Sequence, residues 1–167
     1  MSSSSSPFSK GDWIVHTYYG VGQITGIEQK KIGDNKVKYY KVKARNSTFF
    51  VPVKNAENER IRPVASKYML RKAINALKEK PQELDMDHNQ RKKQISDRMN
   101  ECSLVTNAEL VRDLIFRRKD HRLNDHEEGM LSKVISRLVR EWAISFDLSQ
   151  EEAQSRFDDL VKEEITA

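Results

Sequence analysis

Apolar positions recur along this chain with two different periods, and the change falls near residue 64. Between residues 8 and 64 they alternate with polar positions in runs of about four to eight residues, the signature of half-buried strands. Lys10-Gly11-Asp12 forms a turn ahead of Trp13-Ile14-Val15, and Gly20, Gly22 and Gly26 punctuate a β-branched run of Val21, Ile24, Thr25 and Ile27. Gly33-Asp34-Asn35 reads as a hairpin tip before Val37-Lys38-Tyr39-Tyr40-Lys41-Val42. Asn46-Ser47 then turns the chain into Thr48-Phe49-Phe50-Val51-Pro52-Val53. This pattern predicts a small antiparallel sheet or barrel. Pro52 has no N–H to give a ladder, so its run lies at an edge or a strand end. Phe49 and Phe50 point to opposite faces, and only one of them need be buried.

Beyond Pro63 the apolar period becomes helical. Ser66 caps a helix carrying Leu70, Ala73, Ile74 and Leu77. Pro81 and the acidic residues 82–87 read as a linker, and Ile95, Met99 and Cys102 mark a helix over residues 88–102. Thr106-Asn107-Ala108-Glu109 is a capping-box pattern before Leu110, Val111, Leu114 and Ile115. Asn124 with Glu127 is a variant of it, preceding the longest stripe: Met130, Leu131, Val134, Ile135, Leu138, Trp142 and Phe146. Trp142 falls within that stripe as a core residue. Ser149 caps a last helix with Ala153, Phe157, Leu160 and Val161. The expected fold is α+β, a small N-terminal antiparallel β domain followed by an all-α helical bundle. Residues 1–7 are expected to be a disordered serine-rich tail, 8–64 the β domain, 65–81 a connecting helix and linker, and 82–167 the helical domain.

Composition narrows the chemistry. No window approaches the ~18 consecutive apolar residues of a membrane span, and the start has neither a basic nor an apolar leader region, so a cytoplasmic protein is expected. The single cysteine, Cys102, cannot form an internal disulfide, and His16, His88, His121 and His126 contain no i, i+4 pair for a metal. Gly20-Val21-Gly22-Gln23-Ile24-Thr25-Gly26 is one residue too long for a dinucleotide loop and is followed by strand residues, so its glycines are read as structural. No phosphate-binding loop, nucleophile elbow or catalytic carboxylate pair is present, so neither an enzyme nor a cofactor is expected. Charge is polarised instead. Residues 1–80 carry 16 Lys and Arg against 6 Asp and Glu, whereas residues 141–167 carry 2 against 8. That asymmetry suggests an anionic partner at the front.

One ordered set of residues says more. It runs Phe8-x-x-Gly11-Asp12-x-Ile14-Val15, Tyr19-Gly20-Val21-Gly22-Gln23-Ile24, Gly26-Ile27-Glu28, Val51-Pro52-Val53-x-Asn55-Ala56-Glu57 and Ile61-Arg62-Pro63-Val64. The set resembles the RNA-polymerase-interacting domain of the bacterial CarD/CdnL family, a module shared with transcription-repair coupling factors. Val111-Arg112-Asp113-Leu114 with Arg117-Arg118, and Leu123 through Met130-Leu131, extend the resemblance to the rear half. It implies a monomeric regulator of transcription initiation. A Tudor-like front sheet would dock on the β-subunit lobe of RNA polymerase, and the helical domain would meet promoter DNA, without reading sequence, at the upstream edge of the melting bubble. By the same resemblance Lys30, with Lys31 beside it, falls at a basic polymerase-contacting position. Phe50, on the strand before Val51-Pro52-Val53, falls at another, where some members are basic, and Pro52 is counted with it. His88 stands where many members carry a wedging tryptophan, with Arg91, Lys92 and Lys93 as phosphate contacts. Glu128 stands where a basic residue helps in some members. The competing reading is a Tudor- or SH3-like module that binds RNA or protein and has no role at promoters.

Overall fold

The change of period is also a structural boundary. A computed structural model, describing residues 7–54 and 61–164, divides the chain into a front unit ending at Val64 and a rear unit beginning at Ala65. The serine tract and the motif residues Asn55, Ala56 and Glu57 lie outside the described residues.

The front unit is one antiparallel sheet of β1 (Trp13–His16), β2 (Gly20–Ile32), β3 (Asn35–Ala44), β4 (Thr48–Pro52) and β5 (Ile61–Pro63). Its strand order is β4-β3-β2-β1-β5, which leaves β4 and β5 at the edges. Pro52 closes edge strand β4, where the missing N–H disturbs no central ladder. Ile14, Ile24, Tyr40, Val42, Phe49, Val51 and Ile61 form the core, closed by Phe8, whose N–H donates to the Tyr40 hydroxyl at 3.1 Å. Gly20 and Gly22 are structural, as read, whereas a Cβ on Gly26 would meet nothing within 4 Å. A Cβ on Gly22 would stand 2.6 Å from Val42 Cγ1, and Gly20 turns into β2 at φ 85°. A bulge between Ile24 and Gly26 breaks the β2–β3 register, and Thr25 Oγ1 donates to the Lys41 carbonyl there.

The rear unit holds α1 (Lys67–Lys78), α2 (His88–Asn100), α3 (Leu104–Asp120), α4 (Asp125–Ser145) and α5 (Gln150–Glu164). Three expected caps form: Ser66 accepts from the Met69 N–H, Asn124 from Glu127, and Ser149 from Glu152. The fourth differs. Ser103, not Thr106, caps α3 by accepting from the Thr106 N–H, so the Thr106–Glu109 pattern lies inside the helix. Leu104 is the reason: it is buried with Ala108 and Val111, and starting the helix at Ser103 places it on the core stripe. Helix α2 ends at Asn100, and Cys102 is exposed. Trp142 is buried, as expected.

The segment read as connector and linker is built into the helical unit. Helix α1 packs on α3 through Leu70, Ala73 and Leu77. Residues 79–87 have no regular structure but form a strap: Leu84 is buried, and the Gln82 N–H donates to Asp113 Oδ1 at 2.9 Å. Asp113 also accepts from Arg98 Nη2 at 2.7 Å and Arg112 Nε at 2.9 Å, while Arg112 Nη1 reaches the Ala76 carbonyl. One wholly buried carboxylate thereby gathers donors from α2, α3 and the strap, which offsets its desolvation. Among the described residues, no helix is long and apolar enough to cross a membrane.

Candidate functional site

Strand register sorts the front unit's candidates by face. Val42 opposes Phe49 and Tyr40 opposes Val51, and all four are buried. The alternate pairs, Lys41 with Phe50 and Tyr39 with Pro52, therefore stand on the outer face. Across β2 the same face holds Glu28 opposite Tyr39 and Lys30 opposite Val37. Lys30 Nζ sits 3.7 Å from the Phe50 ring centre and 5.7 Å from that of Tyr39, and Lys41 pairs with Glu28 at 3.4 Å. Phe49 is buried and Phe50 is 36% exposed, so the expected division between the two rings holds. The structure thus brings Lys30, Phe50 and Pro52 into one aromatic-cationic patch beside an edge strand. It puts Lys31 elsewhere, opposite Lys36 on the other face. Tyr39 belongs to the patch, and its strand position two residues before Lys41 was the only sequence signal for it.

Phe50 therefore need not imitate a basic residue. Its ring is the platform on which the Lys30 ammonium rests, held by attraction to the aromatic face. The patch can present a positioned cation and apolar area to an acidic partner surface.

The rear candidates lie on the first turns of α2. Asp87 caps the helix by accepting from the Gln90 N–H at 3.0 Å, and His88, Asn89, Lys92 and Lys93 are exposed. His88 and Lys92 share a helical face, as do Asn89 and Lys93. Arg91 does not join them. It was expected to face outward toward phosphates, but only 8% of it is exposed. Arg91 Nε donates to Glu127 Oε1 at 2.8 Å, and Nη1 donates to the carbonyls of Asp85 and Met86, each at 3.2 Å. The cause is its register, four residues before Ile95 and eight before Met99 on the single buried stripe of α2. Glu127 is buried to meet it and also accepts from Asn124 Nδ2 at 3.0 Å. Glu128, an acid where some family members are basic, is offset by Arg118 at 3.4 Å. Farther along α4, burial and the neighbouring Arg137 lower the Lys133 pKa; burial also lowers that of Arg137, against the raising effect of Glu141. Among the described residues, no cluster of His, Cys, Asp and Glu is arranged to hold a metal ion.

Comparison with known proteins follows the same two-unit division. Residues 8–65 match the family model of the CarD-like/TRCF RID domain, and residues 72–158 match that of the CarD C-terminal domain. A protein of Bacillus subtilis (strain 168) named "Putative transcription factor YdeB" is 27% identical over 150 residues, covering 89% of this chain and 98% of the relative. With both models matched in order, one by each structural unit, the chain belongs to the CarD family.

Proposed function

We propose that this protein is a regulator of transcription initiation that holds RNA polymerase with its front unit and promoter DNA with its rear unit. The outer sheet face, with Lys30, Phe50, Pro52 and Tyr39, docks on the β-subunit lobe of the enzyme. Edge strand β4, which among the described residues pairs only with β3, offers its outer backbone groups to a partner strand, so β-augmentation and the cationic patch act together. His88, Lys92 and Lys93 contact the DNA at the upstream edge of the bubble, where lysines neutralise phosphates without reading sequence. Arg91 acts there as a positioning residue, fixing which side of α2 faces outward. Two individually weak contacts on one chain reinforce each other through effective concentration, which modulates the lifetime of the open complex. The protein works as a monomer in the cytoplasm without metal or cofactor.

The observation that carries this reading is the seating of Lys30 on Phe50 at an exposed face of β4, a strand that pairs only with β3 among the described residues. Binding to purified bacterial core RNA polymerase, free of nucleic acid after nuclease treatment, tests it. The chain is expected to bind, and Lys30→Glu to weaken binding at least tenfold. A Lys30→Glu protein that folds and binds as the wild type does would remove the patch from the interface.

A further inference from the structure

Strands β2 and β3 run on past their neighbours as a two-stranded arm. Pairing of β1 with β2 covers residues 20–23, and pairing of β4 with β3 covers residues 39–43. Among the described residues, 29–32 and 35–37 pair only with each other, joined by a tight turn in which Gly33 adopts φ 62°; at the base of the arm the Lys38 carbonyl also accepts from the Val53 N–H at 3.0 Å. One face of the arm is the Lys30 face already described. On the other, Lys31 stands directly opposite Lys36, and Lys38 opposite Gln29. All four residues are exposed, and among the described residues none of these three lysines meets a carboxylate.

A like-charge pair in direct cross-strand register is destabilising, because Cβ atoms there lie only about 5 Å apart. Solubility alone does not require this arrangement, since any alternation of sign would serve it. An anion laid across the pair converts the repulsion into attraction. Lys36 and Lys38, two residues apart on β3, set a third cation about 6.8 Å along the same face. Lysine brings a point charge with three donors rather than a planar fork, which suits phosphate oxygens better than base edges. Gln29, Lys31, Lys36 and Lys38 include no aromatic or large apolar anchor of the kind that dominates protein–protein contacts. A two-stranded ribbon also has the width to enter a DNA groove.

We propose that the Lys31–Lys36–Lys38 face of the arm binds the phosphate backbone of duplex DNA without sequence preference. This is a second DNA contact, on the unit opposite in sequence to the α2 patch, and it takes Lys31 out of the polymerase-docking set. It stands independently of the reading given to α2.

The test uses the full chain without polymerase and a fluorescent mixed-sequence DNA duplex, with affinity measured across a series of salt concentrations. Three proteins are compared: wild type, Lys31→Gln/Lys36→Gln/Lys38→Gln, and Lys92→Gln/Lys93→Gln. Each phosphate neutralised contributes about 0.9 to the log–log salt slope. The triple variant is expected to lose about 2 to 3 from that slope while keeping its fold, with a thermal midpoint no lower than the wild type's because the Lys31–Lys36 repulsion is relieved. An unchanged slope in a folded triple variant would overturn the proposal, as would a wild-type protein with no measurable duplex binding. The Lys92/Lys93 variant reports separately on the α2 patch: if only the triple variant lowers the slope, the arm contact stands and the α2 reading fails.

Discussion

Arg91 Nε lies 2.8 Å from Glu127 Oε1, and this buried ion pair between α2 and α4 decides which residues of α2 reach solvent. With Arg91 turned in, Lys92 and Lys93 turn out. Arg91 also satisfies two carbonyls of the strap, so the same guanidinium holds residues 85 and 86 against the helix start.

Removing one partner of such a pair leaves the other charge buried, at a cost of about 3–5 kcal/mol. Arg91→Ala is therefore expected to lower unfolding free energy by that order in chemical denaturation. Lys92→Ala, on the exposed neighbouring position, should change stability by less than about 0.5 kcal/mol. Equal effects would show that Arg91 is not the anchor described.

The Lys30–Phe50 contact predicts coupling between two residues in polymerase binding. Lys30→Ala and Phe50→Ala should each weaken binding, and the double variant should be less impaired than the two effects added. The interaction energy expected from a cation over an aromatic face is about 0.5–1 kcal/mol. A double-mutant cycle on purified core polymerase measures it, and strict additivity would separate the two side chains.

Helix α3 offers a test of where the chain begins its turn. Ser103→Ala should cost about 1 kcal/mol, the usual loss for a capping hydroxyl. Thr106→Ala, now inside the helix, should cost less and could be neutral, because alanine is the better helix former. The reverse order in thermal or denaturant unfolding would restore Thr106 as the cap.

At position 88 an exposed histidine heads α2. His88→Trp adds apolar ring area for wedging at a base step. It is expected to lengthen open-complex lifetime severalfold while leaving polymerase affinity unchanged. No change in lifetime would place this helix start away from the fork.

Much of this was legible in sequence because the signals are local. Alternation located the four longer strands, and Ser66, Asn124 and Ser149 announced helices through a side chain bonding an N–H three residues on. The start of α3 was ambiguous because Ser103 and Thr106 both satisfy the capping rule; only the burial of Leu104 decides between them. Arg91 was misplaced for a non-local reason. A charged residue at a helix start defaults to solvent, and its partner Glu127 lies 36 positions away. Lys31 could have been separated from Lys30 by the same period-two rule that separated Phe49 from Phe50. That step required knowing that β2 continues to Ile32, and Gln29-Lys30-Lys31 carries no apolar alternation to announce a strand. Pairing with β3, a tertiary fact, extends it.

The most direct measurement is the lifetime of the open complex on a fork-labelled promoter with purified bacterial RNA polymerase, comparing no protein, wild type and Lys92→Glu/Lys93→Glu. Holding enzyme and bubble edge at once predicts a longer lifetime with wild type and a loss of most of that gain with the variant, while polymerase binding stays intact. An unchanged lifetime with wild-type protein demonstrably bound to polymerase would contradict it.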